Sequence, residues 1–182
     1  LWLGTSALEL NMSSIYMYCF AEREKILDLF EELSGARMFP NCWRIGGLAY
    51  DTTSTFETNA RQFLKDFPRT WKDLDHLLTN NYVWCERLQG VAIIDEELCK
   101  QFMCTGPIIR ATGVPYDIRK IYPYSGYETY QFEVPMRKEG DAYARYLVRM
   151  EEMLQSASLV EQGLNRLKPG PVITSNRKVA LP

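Results

Sequence analysis

Apolar residues recur at steps of three and four along much of the chain, which is the spacing of amphipathic helices. The clearest such helix is predicted over Ile15–Ser34. Four residues share its apolar face: Ile26, Leu29, Phe30 and Leu33. Gly35 follows, and a glycine there readily adopts the left-handed conformation that ends a helix. A first helix is predicted over Leu1–Leu10, and the serines and asparagine of residues 11–14 separate the two helices.

The middle of the chain is predicted to continue as helix after a loop over residues 38–51. One helix covers Ser54–Phe67, breaks at Pro68 because proline lacks an amide donor, and resumes through residues 71–78. A shorter helix begins after Asp95, a residue type that caps helix N-termini.

The last third of the chain adds a strand and a long helix. Glycines and prolines within residues 106–115 predict a loop, and the alternating residues of Tyr127–Val134 predict a strand. Asp141 opens a long helix that ends before Pro169. We therefore predict a mainly α fold with a small β element near residues 127–134.

Composition limits the kind of protein and its partners. The chain has 182 residues, of which 46% are hydrophobic and 24% charged, as in an ordinary globular domain. We expect a helical core over residues 1–168 and an extended tail over residues 169–182, which have no periodicity. A net charge of -2 argues against a nucleic-acid partner.

Cysteines and motifs limit the chemistry further. The five cysteines include no C-x-x-C pair, so we expect neither a disulfide framework nor a zinc site, but buried or free thiols in a reducing compartment. No glycine-rich nucleotide loop is present, so we expect no bound nicotinamide or flavin. Leu1–Phe20 carries one charge, Glu9, and several polar residues, which favours a buried helix over a membrane span.

Several motifs occur together in the order found in one known family. They are Phe20-Ala21-Glu22-Arg23-Glu24-Lys25, Ser34-Gly35-Ala36-Arg37-Met38, Arg44-Ile45-Gly46-Gly47, Leu78-Thr79-Asn80-Asn81, Arg110-Ala111-Thr112-Gly113 and Asp117-Ile118-Arg119-Lys120. With these motifs the chain resembles the quinone-site large subunit of respiratory complex I, the 49-kilodalton subunit, which is related to the nickel–iron hydrogenase large subunit. Family members are usually much longer, so the resemblance implies a central part of that subunit.

The resemblance implies a fold, a reaction and a set of partners. The fold would be the multihelical core of the hydrogenase large subunit. The reaction would be NADH:ubiquinone oxidoreduction coupled to proton translocation, with this chain inactive alone. It would form part of the quinone chamber, beside a terminal 4Fe-4S cluster that a small partner subunit ligates.

The implied proton-relay residue is Glu9, at a position where the family usually has Asp. A carboxylate that loses solvation in an apolar helix has a raised pKa and can exchange protons near neutral pH. From its sequence context alone, Glu9 is better explained as a carboxylate that faces water or pairs with an arginine.

The implied quinone-binding residues are Thr5, Tyr16 and Phe20. Aromatic walls with one or two polar groups suit a planar amphipathic headgroup. Ordinary packing between helices is the alternative for Tyr16 and Phe20.

The implied cluster-facing loop carries Arg37, Met38 and Arg44. Fixed positive charge there would stabilise a reduced cluster and hold the neighbouring subunit, although a loop arginine taken alone is usually a surface residue. Phe39 stands where the family usually has a titrating histidine, and Ser6 also replaces a frequent family histidine. Both departures weaken the analogy, because neither side chain titrates near neutral pH.

The implied structural network consists of Arg110, Asp117 and Arg119, in a loop that would hold the core together. Farther along, Arg145, Arg149 and Glu152 share one side of the last helix, where the resemblance favours a contact with another subunit or domain.

The remaining alternatives concern the assembly. The family's quinone-binding histidine and tyrosine would lie upstream of Leu1, so we expect either a separate chain that carries them or an incomplete sequence. A structural bridging subunit without quinone chemistry is one alternative function, and a membrane-bound hydrogenase-type relative is another. We expect the matrix side of the mitochondrial inner membrane, with the cytoplasmic face of a bacterial plasma membrane as the alternative.

Overall fold

The computed structural model describes residues 1–175, and most of them are helical. The elements in chain order are α1 (Trp2–Glu9), α2 (Ser13–Ser34), β1 (Trp43–Arg44), β2 (Gly47–Leu48), α3 (Ser54–Leu78), α4 (Tyr82–Leu88), α5 (Glu96–Gln101), α6 (Pro107–Arg110), α7 (Ile118–Ile121), a 3-10 turn (Tyr127–Thr129) and α8 (Ala142–Arg166). The predicted mainly α class with a small β element is confirmed.

Packing divides these residues into two compact units. The first contains Leu1–Asp66 together with the described residues from Leu164 onward, and the second is Phe67–Gly163. The predicted boundary at residue 168 stays a prediction, and residues 176–182 of the predicted tail lie outside the described part.

In the first unit, α1 and α2 pack closely at Gly4. A Cβ on Gly4 would lie 3.0 Å from the Cβ of Cys19 and 3.3 Å from the ring of Phe20, so a larger residue there would push the neighbouring side chains aside by a few tenths of an ångström. The second helix ends at Gly35 in the left-handed conformation, with φ of 75°. The glycine stop expected from the sequence is therefore confirmed.

The small β element lies in a different place from the predicted one. Strands β1 and β2 form an antiparallel hairpin, in which Trp43 pairs with Leu48 and Arg44 with Gly47. Ile173 of the tail forms an antiparallel bridge to Gly47. The predicted tail thus returns to the hairpin within the first unit.

The predicted strand over Tyr127–Val134 is wrong. This segment starts as the 3-10 turn and continues as extended chain without a partner strand. Side-chain amides of α8 take the place of that partner. The amide of Gln131 donates to Oε1 of Gln162 at 2.9 Å, and the amide of Glu133 donates to Oε1 of Gln155 at 3.0 Å. Alternation could not show that side chains of α8, and not a neighbouring strand, would bond to this segment.

The predicted break at Pro68 is also wrong, because α3 continues through it. Pro68 is exposed, so the carbonyl one turn earlier, which loses its amide donor, lies on the solvent side. The helix beyond it is held by the indole of Trp71, which donates to the carbonyl of Met150 at 2.7 Å, and by the buried Leu74 and Leu78. Packing here outweighs the lost hydrogen bond.

The predicted loop over 106–115 contains the one-turn helix α6, which begins at Pro107. Proline is favoured in a first helical turn, where the amide would have no partner. The predicted start of α5 is confirmed, since Asp95 caps it by accepting from the amide of Leu98 at 2.7 Å. Asp141 caps α8 in the same way, by accepting from the amide of Ala144 at 2.7 Å.

The turn before α8 yields a stability prediction. Gly140 has φ of 66°, and a Cβ there would lie 2.2 Å from the carbonyl oxygen of Ile94. Gly90 has a similar φ of 68° with nothing within 4 Å of the added Cβ. Substitution of either glycine by alanine should cost about 1 kcal/mol of left-handed strain.

We expect Gly140→Ala to lower the free energy of unfolding by clearly more than Gly90→Ala, because only Gly140 also meets a carbonyl. Urea denaturation of the two variants and the parent chain measures this difference. Equal losses would show that the loop moves aside without cost.

Candidate functional site

The predicted quinone-binding residues all belong to α1 and α2 of the first unit. The rings of Tyr16 and Phe20 are 4.2 Å apart between centroids, and Phe20 also contacts the α1 backbone at Gly4. Thr5 is the next residue of α1, is exposed, and donates its hydroxyl to the carbonyl of Trp2 at 3.0 Å. We call Thr5, Tyr16 and Phe20 the aromatic face.

Glu9 is the last residue of α1 and is exposed. Residues 1–175 therefore leave the Glu9 carboxylate in contact with water. The expected buried helix over Leu1–Phe20 is likewise only partly buried. Leu3, Ala7, Ile15 and Cys19 are inside, while Met17 and Tyr18 are exposed.

Arg37 folds back along α2 after the Gly35 stop. Its guanidinium bonds the carboxylates of Glu24, Asp28 at 2.5 Å and Glu31 at 3.2 Å. The hydrogen bond to Asp28, followed by that to Glu31, raises the pKa of Arg37. The cation is thus fixed in place and balanced by carboxylates of its own unit.

Arg44 lies on the hairpin and is held by its own loop. Its Nη1 donates to the carbonyls of Asn41 and Trp43 at 3.0 and 2.8 Å and to Oδ1 of Asn41 at 2.7 Å. Met38 is exposed, as is Phe39, at 82% of its surface. A groove of about 630 Å³ opens beside Arg44, and its other lining residues are Ile45, Leu48, Ala49, Tyr50, Ile173 and Thr174.

The predicted structural network lies in the second unit and is built from two ion pairs. Arg110 is buried, donates from Nε to Oε1 of Glu152 at 2.7 Å and from Nη1 to the carbonyl of Tyr116 at 2.9 Å. Arg119 binds Asp117 with two nitrogens, at 3.0 and 2.6 Å. The hydrogen bond from Arg119 holds the pKa of the buried Asp117 below its ordinary value.

Glu152 also belongs to this network. Its position on α8 predicts a place beside Arg145 and Arg149, but in the structure its carboxylate is the partner of Arg110. The sequence offered one sign of this pairing, since an arginine buried in a predicted core requires an acidic partner.

A half-buried group around Thr79 was not predicted from the sequence. The side chain and carbonyl of Thr79 take part in four hydrogen bonds. Its hydroxyl donates to Asp75 at 2.5 Å and contacts the hydroxyl of Tyr146 at 2.8 Å, while its carbonyl accepts from Tyr143 at 2.6 Å and from the thiol of Cys85 at 3.4 Å. The two tyrosines on the apolar stripe were the signal, because a buried phenol needs a partner.

Residues 1–175 contain neither a metal-binding cluster nor a membrane-spanning helix. No group of three or more His, Cys, Asp or Glu side chains is placed to hold a metal ion in this part of the chain. Within the same range, no helix is both long enough and apolar enough to cross a membrane.

Comparison with known proteins identifies relatives over the whole chain. The family model described as respiratory-chain NADH dehydrogenase, 49 Kd subunit, matches residues 9–182. The chain is 68% identical over 182 residues to the D subunit of NADH-quinone oxidoreductase from Protochlamydia amoebophila, and covers 45% of that protein. It is 53% identical over 184 residues to a D subunit of the same enzyme from Chloroflexus aurantiacus, again covering 45%. In both comparisons the whole of this chain is aligned, so it spans less than half the length of these relatives.

The Arg110–Glu152 pair yields a stability prediction with an internal control. We expect Glu152→Ala to lower the free energy of unfolding by about 3 kcal/mol, because it leaves a buried guanidinium without its carboxylate. Glu151, the preceding residue, pairs with Arg137, and its side chain is 41% exposed. Glu151→Ala should therefore cost less than about 1 kcal/mol. Chemical denaturation compares the two, and similar losses would contradict the stabilising role of the Arg110 pair.

Asp117 yields a pH prediction. Its pKa is lower in the folded chain than in the unfolded chain, so its contribution to stability is complete above the ordinary carboxyl pKa of about 4 and is lost as the pH falls through the lower, folded value. We expect Asp117→Asn to be less stable than the parent at pH 7 and the difference to shrink as the pH falls below about 4. Urea titrations across this range measure it, with the exposed Asp73→Asn as control. A difference independent of pH would contradict this role.

Proposed function

The chain belongs to the family of the 49-kilodalton subunit of respiratory-chain NADH dehydrogenase, and we propose from this premise that it is a core segment of a proton-pumping NADH:quinone oxidoreductase. Family membership rests on the matched residues 9–182 and on 68% identity to a bacterial member of the family. Because the chain spans less than half of that relative, its activity would depend on the rest of the assembly.

The aromatic face is the part of the chain that we assign to the quinone chamber. The observation that carries this assignment is the contact between the rings of Tyr16 and Phe20, 4.2 Å apart between centroids, beside the helix that carries Thr5. The two rings are half-buried and Thr5 is exposed, so ring surface and a hydroxyl are both available to a ligand. A quinone headgroup, planar and with two carbonyls, fits such a wall.

Glu9 would act in proton delivery to that chamber. It lies one turn of α1 beyond Thr5, on the same helix as part of the aromatic face. Since Glu9 is exposed in this chain, its desolvation would come from the polypeptide that completes the chamber. Covering the carboxylate would bring it out of bulk water and next to the headgroup, where it could pass on a proton.

The hairpin and the loop before it would face the small subunit that ligates the terminal 4Fe-4S cluster. Arg37 is balanced by three carboxylates of α2, while the hydrogen bonds of Arg44 within residues 1–175 go to neutral groups of its own loop. We therefore propose that the guanidinium of Arg44 lies nearest the cluster. Arg37 would hold the loop in place. Met38 and Phe39 would supply apolar contact to the partner.

The assembly and location follow from the relatives. The upstream histidine and tyrosine of the quinone site would be carried by a second chain if the gene is split, or by the same polypeptide if the sequence is a piece of a longer one. The relatives from Protochlamydia and Chloroflexus are bacterial, so the expected mitochondrial location gains no support from them. We propose the peripheral arm at the cytoplasmic face of a bacterial plasma membrane.

The proton-delivery role predicts the behaviour of Glu9→Gln in the intact assembly. We expect quinone reduction by NADH to fall by about 100-fold, the lower end of what a positioned acid or base contributes, and Glu9→Asp to retain most of it. NADH oxidation by ferricyanide, which bypasses the quinone, should stay unchanged in both variants.

The matched control is Glu161→Gln, an exposed carboxylate on α8 that should not affect turnover. Unchanged quinone turnover in Glu9→Gln would contradict the relay role. If Phe20→Ala also left turnover and the KM for quinone unchanged, the chain would instead be a structural bridging subunit.

A further inference from the structure

The C-terminal turn of α5 brings two cysteines together. The amide of Cys104 donates to the carbonyl of Cys99 at 2.8 Å, and the amide of Met103 donates to the carbonyl of Lys100 at 3.2 Å. Met103 has φ of 51°, in the left-handed region. This pair of bonds around a left-handed residue is the Schellman motif, in which the side chains of the first and last residues commonly pack together. In α5 these two residues are both cysteine.

The two thiols are free and in contact. Cys99 is fully buried and Cys104 is half-buried. Burial raises the pKa of the Cys99 thiol, and the adjacent thiol of Cys104, which is within hydrogen-bonding reach, raises it further. Cys104 is therefore the accessible member of the pair, and Cys99 is held directly behind it.

We propose that Cys99 and Cys104 form a reversible disulfide by exchange with a low-molecular-weight disulfide such as oxidised glutathione. The backbone favours the bond, since the 2.8 Å hydrogen bond from the Cys104 amide to the Cys99 carbonyl closes the turn between the two residues, and a disulfide requires a close approach. Disulfides of reducing compartments are usually transient and redox-sensing, and a pair of contacting thiols on one turn fits that class.

The exchange takes place in two balanced steps. The Cys104 thiolate attacks one sulfur of oxidised glutathione, which forms a mixed disulfide and releases one glutathione thiolate. The Cys99 thiolate then attacks the Cys104 sulfur, which forms the intramolecular bond and releases the second glutathione. The chain loses two protons and two electrons, and one glutathione disulfide is reduced to two thiols.

The position of the pair gives the bond a structural consequence. Cys104 is followed within three residues by α6, whose Arg110 amide donates to the carbonyl of Gly106 at 3.2 Å. The disulfide would fix the turn that leads into the helix carrying Arg110. Oxidation would therefore rigidify the approach to the Arg110–Glu152 pair without removing any hydrogen bond of the motif.

Thiol counting and peptide mapping on the folded parent chain test the proposal. The chain has five cysteines, so we expect alkylation in denaturant to label five thiols before the folded chain is incubated with oxidised glutathione and three afterwards. Trypsin cleaves after Lys100, between the two cysteines, so the bond should appear as residues 88–100 linked to residues 101–110. Dithiothreitol should separate the two peptides, and prior unfolding in urea should greatly reduce their linkage.

Single variants separate the roles of the two thiols. Cys99→Ser should trap glutathione on Cys104, whereas Cys104→Ser should take up little glutathione at the buried Cys99. Cys85→Ser is the control, because the Cys85 thiol bonds the carbonyl of Thr79 and the linked peptides should persist without it. Stable glutathione on Cys104 of the parent chain, or both peptides recovered unlinked, would overturn the proposal.

Discussion

The second unit depends on the hydrogen-bonding capacity of one helix, α8. Buried polar groups must find partners, and in this unit α8 supplies them to several segments that have no regular pairing of their own. Its Met150 carbonyl accepts from Trp71, its Tyr146 hydroxyl contacts Thr79, and its Glu152 carboxylate binds the buried Arg110. Farther along, Gln155 and Gln162 bond the extended chain at Glu133 and Gln131. The helix thus acts as a scaffold for segments distant in sequence.

The first unit follows a different principle, because its proposed functional residues are placed by close backbone approach and by loop geometry. Gly4 lets α1 reach α2, and the aromatic face results from that contact. Gly35 ends α2 and directs Arg37 back onto the acidic side of the helix. At Gly47, where a Cβ would lie 2.2 Å from the carbonyl oxygen of Val172, the tail lies against the hairpin. Gly35 therefore sets where a charged residue can lie, and Gly47 sets where the tail can lie.

Large apolar side chains remain exposed around the proposed cluster-facing loop. Phe39 is 82% exposed and Trp43 is 67% exposed. Exposed aromatic residues clustered on one loop typically mark an interaction surface. The same loop carries Phe39 in place of a titrating residue, so its contribution would be contact and fixed charge, not proton exchange.

The sequence by itself determined what depends on local chemistry. Helical periodicity, the cap residues Asp95 and Asp141 and the stop at Gly35 are local preferences, and motif order was enough to identify the family. Only the tertiary structure decided what depends on distant partners. It replaced the predicted strand at Tyr127–Val134 by a segment bonded to glutamines of α8, and it paired Glu152 with Arg110, 42 positions away. It also left Glu9 exposed, because burial depends on what packs over a residue and that cannot be read from the residue's neighbours in sequence.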